Sequence, residues 1–118
     1  MPFDATPIEK PLTEVQEILL AAAALVRRGH VKHILMAYTG EEVSFCAIGA
    51  LRYAISGSTR DDYITHKEIC LLMATTNRLV NCLGLGNASI STIIRWNDAS
   101  CRTGEEVALA MEAAAREQ

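Results

Sequence analysis

The sequence predicts a mainly α-helical single domain, a small bundle of four to five helices with one short β-hairpin. Three features lead there. A threonine followed three residues later by Glu or Gln precedes three apolar-periodic stretches, at Thr13/Gln16, Thr65/Glu68 and Thr103/Glu106. In such a capping box the hydroxyl accepts an orphan N–H of the first helical turn, and the longer side chain reaches back to the cap amide. Two β-leaning stretches flank "TGEE", where Gly40 can adopt the positive φ of a tight turn. Finally, 118 residues with 50% hydrophobic and 21% charged content match one globular domain rather than a disordered chain.

Each element follows in order. Residues 1–11 carry all three prolines and no periodicity, so they are read as an extended N-terminal segment of the single domain 1–118. After Thr13, Val15, Ile18, Leu19, Ala22 and Val26 recur at helical spacing, and Gly29 offers a left-handed stop. "HILMAYTGEEVSF" then forms the hairpin, which must lie on the helices because a two-stranded ribbon is marginal alone. A second helix begins near Cys46, and "SGSTRDD" (56–62) is a loop. The helix after Thr65 places Ile69, Leu72, Met73, Thr76, Val80 and Leu83 on one stripe, closes at "GLGN", and is expected at the centre of the bundle. Ile90, Ile93, Ile94 and Trp96 share a face of a short helix ended by Asn97 and Asp98. Behind Thr103, Val107, Ala110, Met111 and Ala114 mark an alanine-rich last helix suited to close packing.

Composition excludes several function classes. The formal net charge is −3, against the basic surplus that phosphate backbones demand, so a nucleic-acid partner is not expected. "RRGHVKH" (27–33) reads instead as a helix C-terminus whose cations face the dipole. The longest apolar run, "ILLAAAALV", is far short of the roughly 20 residues that span a bilayer, and the N-terminus has no leader pattern. A cytoplasmic location with four reduced cysteines follows as the expectation. No Cys-x-x-Cys pair or zinc-ligand spacing occurs, so neither a metal nor a cofactor is expected. Met36, Met73 and Met111 read as core filler, and Cys70 and Cys82 as packing residues.

Cys46 is the sharpest candidate for chemistry. A thiol at a helix N-terminus meets the positive end of the dipole, which favours the thiolate. With His33 on a strand leading toward it as base and Asn97 as orienter, it would make a minimal Cys/His/Asn set of the papain type. The competing reading puts Cys46, Ala47, Gly49 and Ala50 in a small-residue patch where helices press together. Trp96 with Asn97 and Asp98 reads as a core aromatic and a turn, or as an amide and a carboxylate displayed for a ligand.

Two motifs carry a resemblance over the second two-thirds of the chain. Cys46, Gly49, Ala50 and Leu51 form a Cys-x-x-Gly-Ala-Leu helix start. Asn97 and Asp98 stand shortly before Thr103, Glu106 and Val107, a Thr-x-x-Glu-Val start. Together they resemble a family of small bacterial and phage proteins known as a domain of unknown function. Ser100 and Cys101 depart from the glycine-containing turn of its members. The resemblance implies a phage or mobile-element origin and assigns no activity. The leading expectation is therefore a non-enzymatic protein-interaction module that binds a host or phage protein. A positive mean hydropathy of +0.16 and the alanine-rich last helix add homo-oligomerisation to it. The alternative is a small cysteine hydrolase or transferase using Cys46.

Overall fold

The computed structural model describes residues 12–57, 65–87 and 89–117. Among them run five helices and one hairpin: α1 Glu14–Arg28, β1 Met36–Thr39, β2 Glu42–Phe45, α2 Ala47–Ser56, α3 His66–Leu83, α4 Ile90–Asn97 and α5 Gly104–Arg116. The segment expected to be extended, 1–11, and most of the 56–62 loop lie outside the described residues.

All three capping boxes form. Thr13, Thr65 and Thr103 accept from the amides of Gln16, Glu68 and Glu106 at 3.1–3.2 Å, and each partner side chain returns a bond to the threonine N–H. The hairpin is antiparallel with Met36 opposite Phe45 and Thr39 opposite Glu42, and Gly40 turns it at φ +65°. Gly84 stops α3 in the left-handed conformation.

Gly29 closes α1 differently from expectation: its φ of −172° is extended. What requires glycine there is space, since a Cβ would lie 2.6 Å from Ser44 Oγ of the neighbouring strand. The centre of the bundle also differs. Helix α1 buries Leu19, Ala22, Ala23 and Val26 almost completely, with α5, α2, α3 and β2 around it. Burying a side chain such as Leu19 stabilises by about 1.5–3 kcal/mol. Helix α3 buries Leu72, Thr75, Thr76, Leu79 and Val80 but leaves Ile69 and Met73 exposed, so Met73 is not core filler. Cys70 is exposed and Cys82 half-buried, so the reading of both as packing residues does not hold for Cys70.

The small residues of α5 allow close approach to α1. Val107, Ala108, Met111, Ala114 and Ala115 are buried, and Gly104 sits where a Cβ would meet His30 Cβ at 2.8 Å. Polar ties fasten the pair along its length. Arg27 of α1 bridges Glu105 and Glu112 of α5, which holds both carboxyls below the usual range. At the other end Gln16 Nε2 donates to the Ala115 carbonyl at 2.8 Å, and from α3 Arg78 Nε donates to that of Ala114 at 2.6 Å, tying a third helix to the same end of α5. These side chains satisfy acceptors that the last turn of α5 leaves open.

Candidate functional site

Three chain segments meet at the start of α2. The stretch after α1 runs beside β2: Val31 N–H donates to the Phe45 carbonyl at 3.1 Å and Phe45 N–H to that of Gly29 at 2.9 Å. The hairpin then delivers Cys46, whose N–H donates to the Leu35 carbonyl at 2.9 Å. From the opposite side the C-terminus of α4 brings Asn97 and Asp98.

Asn97 joins the three. It is wholly buried, and its carboxamide is saturated. Oδ1 accepts from the Ala47 amide at 3.0 Å and from His30 Nε2 at 2.7 Å; Nδ2 donates to the Val31 carbonyl at 3.2 Å and to Asp98 Oδ1 at 3.0 Å. Accepting both bonds on Oδ1 requires a proton on His30 Nε2. The carboxamide is therefore enclosed rather than displayed for a ligand. Asp98 Oδ1 also accepts from the His33 N–H at 2.9 Å. Desolvation works to raise the Asp98 carboxyl, but the His33 N–H, the Asn97 amide and the charges of His33 and Lys32 outweigh it and hold it low. Lys32 Nζ reaches past α4 to the carbonyls of Ala99 and Ser100, at 2.6 and 3.1 Å. Arg102 closes the corner: its Nε donates to the Trp96 carbonyl at 3.1 Å, and its guanidinium lies 4.6 Å from the centre of the Trp96 ring.

Cys46 is the N-cap of α2 itself, one position earlier than a residue inside the helix, and its Sγ accepts from Gly49 N–H at 3.3 Å. It is only 4% exposed. Burial pushes the thiol up, the Gly49 and Ile48 amides pull partly back, and the Asp98 carboxylate raises it further. With an ordinary value already above neutral, the thiol is protonated at pH 7. Gly49 explains the small-residue start of α2, because a Cβ there would lie 2.0 Å from the Leu35 carbonyl oxygen.

The structure thus brings Asn97 to the Cys46 helix, through Ala47. His33 lies in a bend ahead of β1 rather than on the strand, at φ +73°, a region His visits more readily than most residues. Its ring is 76% exposed and faces Asp98, Nδ1 to Oδ2 at 3.6 Å. Among the described residues no imidazole is hydrogen-bonded to Cys46 Sγ, which accepts from the Gly49 N–H. His30 is the imidazole bonded to Asn97, and sequence reasoning gave it no role: a contact between residues 67 positions apart leaves no local signal. Among the described residues no three His, Cys, Asp or Glu side chains converge as a metal ion would need, and no helix is long and apolar enough to cross a membrane.

A second feature lies on the far side of α2. An open cavity of about 650 Å³ runs between α2, α3 and α4, walled by Leu35, Ile48, Ile69, Leu72, Met73 and Ile94. Ile69 and Met73, which the apolar stripe of α3 suggested as core, are exposed along it.

Comparison with known proteins finds no match among curated proteins and none among solved structures. One family model covers residues 10–117, nearly the whole chain including both motifs at Cys46 and Asn97, and the protein therefore belongs to the family of unknown function DUF6197.

Proposed function

We propose that this protein is a non-enzymatic interaction module of phage or mobile-element origin, acting in the cytoplasm by docking on a host or phage protein and associating with itself. The observation that carries this reading is the free edge of the hairpin. Leu35 turns its carbonyl toward Cys46, so by strand alternation Met36 and Tyr38 turn their N–H and C=O groups to the outer edge of β1. No described strand pairs with that edge. Beside it stand Tyr38, 63% exposed, and Ile34, 54% exposed. An unpaired edge with exposed apolar side chains is the arrangement through which strand addition recruits a partner chain. The Cys46 corner supports the same reading from the other direction: the thiol is enclosed and protonated, and every hydrogen-bonding position of Asn97 is used in holding segments together.

The test is hydrodynamic. Tyr38→Pro removes both the outer N–H and the aromatic ring while sparing the bonds to β2. Light scattering of the wild type across micromolar to millimolar concentration should show growth beyond a monomer. The variant should stay monomeric at an unchanged melting temperature. A wild type that is strictly monomeric at millimolar concentration ends the self-association part. A natural partner that binds Tyr38→Pro as tightly as wild type ends the role of the edge.

A further inference from the structure

We infer that the cavity between α2, α3 and α4 is a binding site for a small neutral molecule with a flexible aliphatic body and a single carbonyl group, a medium-chain ketone in its simplest form. Three observations lead to that chemistry.

The first is size and lining. About 650 Å³ falls within the range of small-molecule sites. Its apolar wall is aliphatic throughout, from Leu35, Ile48 and Leu72 to Met73, with no aromatic ring among the described lining residues to stack a flat ligand. Met73, which is exposed along the cavity, supplies the adaptable surface that suits a hydrocarbon chain.

The second is an orphaned polar atom. Thr76 lines the cavity and is 3% exposed, yet its Oγ1 has no hydrogen-bond partner among the described residues. A helical threonine ordinarily donates to the carbonyl four residues back, which for Thr76 is that of Leu72. That carbonyl already accepts from Thr75 Oγ1 at 3.0 Å. A buried hydroxyl without a partner is costly, and most such groups in native proteins are satisfied. Threonine in a helix has two χ1 wells open to it, so the Thr76 hydroxyl can turn toward an acceptor in the cavity.

The third is what the other polar lining residues leave over. Ser89 Oγ is spent on capping α4, where it accepts from the Thr92 N–H at 3.2 Å. Asn77 is exposed to water, and Arg52 has an interaction of its own. No acid lines the cavity among the described residues. Thr76 is therefore the one buried side chain of the wall with an unmet bond, and what it asks for is a single acceptor. A ketone oxygen accepts and brings no donor with it, so it satisfies Thr76 and adds no new unmet group to an aliphatic wall. A hydroxyl on the ligand adds a second donor, and a carboxylate adds a charge that must leave water.

Titration of the full chain with 2-heptanone, 2-octanone, 2-nonanone and 2-decanone tests this by calorimetry together with amide chemical shifts. The expected result is saturable one-to-one binding that tightens about fourfold for each added CH₂ until the cavity is full, with shifts at Ile48, Leu72, Met73 and Ile94. Both 2-nonanol and nonanoate should bind severalfold more weakly than 2-nonanone. Met73→Glu, at an exposed position that leaves the core intact, should weaken 2-nonanone by about tenfold or more. Thr76→Val, close to it in shape, should raise the melting temperature of the free protein by removing the unsatisfied hydroxyl, yet weaken 2-nonanone severalfold. Thr76→Ser keeps the hydroxyl and should hold the affinity within about threefold of wild type.

Absence of saturable binding for all four ketones overturns the proposal, as does binding that Met73→Glu or Thr76→Val leaves unchanged. Nonanoate binding as tightly as 2-nonanone overturns the neutral ligand, and 2-nonanol doing so overturns the carbonyl. If deletion of residues 1–11, or dilution of the protein, moves the cavity amides while the ketones do not, the occupant is the chain's own N-terminal segment or a second copy, and the proposal falls. None of these outcomes depends on the hairpin edge.

Discussion

Replacing Asn97 should cost more stability than any other single polar substitution in the described structure. In Asn97→Ala four hydrogen bonds vanish at once: the Ala47 amide at 3.0 Å, His30 Nε2 at 2.7 Å, the Val31 carbonyl at 3.2 Å and Asp98 Oδ1 at 3.0 Å. The Ala47 amide is buried and would be left unpaired, at about 1–3 kcal/mol. The other three groups are part-buried and can partly recover with water, adding about 0.5–1 kcal/mol each. The total is roughly 2.5–6 kcal/mol, out of the 5–15 kcal/mol that domains of this kind possess. That corresponds to a fall in melting temperature of roughly 10–20 °C, read by far-UV circular dichroism at pH 7 and by the urea midpoint. Asn97→Asp refines the test. The new carboxylate still accepts from Ala47 and His30, but its second oxygen faces the Val31 carbonyl and the Asp98 carboxylate, where the amide had donated. Its folded-state pKa is thereby raised above the unfolded value, so its charge costs nothing below the unfolded pKa of about 4 and costs progressively more as pH rises past it. Asn97→Asp should therefore approach wild type in acid and resemble Asn97→Ala at pH 7. An Asn97→Ala protein that unfolds within about 1 kcal/mol of wild type would refute the claim that this side chain holds the corner together.

Three further outcomes follow from the same geometry. Gly49→Ala must displace the Leu35 carbonyl from a 2.0 Å contact, and with it the bond that seats Cys46, so a loss of about 3 kcal/mol or failure to fold is expected, measured by soluble yield and thermal melt. Iodoacetamide at pH 7.5 should label Cys70 and Cys101, both exposed, within minutes, and Cys46 only after denaturant is added; rapid native labelling of Cys46 that His33→Ala suppresses would instead favour the Cys46/His33/Asn97 hydrolase. Asp98, Glu68, Glu105 and Glu112 are all held below their ordinary values, so the unfolded chain binds more protons between the two sets of pKa values and the stability they confer is present above about pH 4–4.5 and lost below it. A melting temperature flat from pH 8 to 6 that drops below pH 4, with a shallower drop in Asp98→Asn, is the expected profile.

What could be read from the chain divides by the distance over which each signal acts. The capping boxes are visible because donor and acceptor lie three residues apart, and Gly40 because a hairpin turn is a four-residue event. Periodicity located α3 and its stripe, but a stripe states only that a face is apolar and not what covers it. In α3 the same stripe continues from the core at Leu72 and Val80 to the open cavity at Ile69 and Met73. Gly29 shows a different ambiguity. Glycine after a helix suggests a left-handed stop, yet here it is demanded by Ser44 of a strand still to come in the sequence.

Cys46 and Asn97 show why the candidate site resisted reading most of all. The role of Cys46 is local, since its sulfur accepts the amide of Gly49 three residues on, but cysteine is not among the favoured capping residues and so carries no cap signal. A buried sulfur can still fill the position because the amide of Ala47, one of the neighbouring orphan donors of that turn, is taken by Asn97, 50 residues away. The α2 N-terminus is therefore capped by two side chains from distant parts of the chain, one weak and one strong. That arrangement accounts for a feature a catalytic reading would leave unexplained, the use of both lone-pair positions and both N–H groups of Asn97 within the fold. An orienting amide in a Cys/His pair needs one bond to the imidazole base, and here that bond goes to His30, while His33 is turned to Asp98 and solvent. Joining the His30 loop, the α2 start and the α4 end through one saturated amide instead fixes the register of the hairpin between them, and with it the edge of β1 and the Leu35 wall of the cavity.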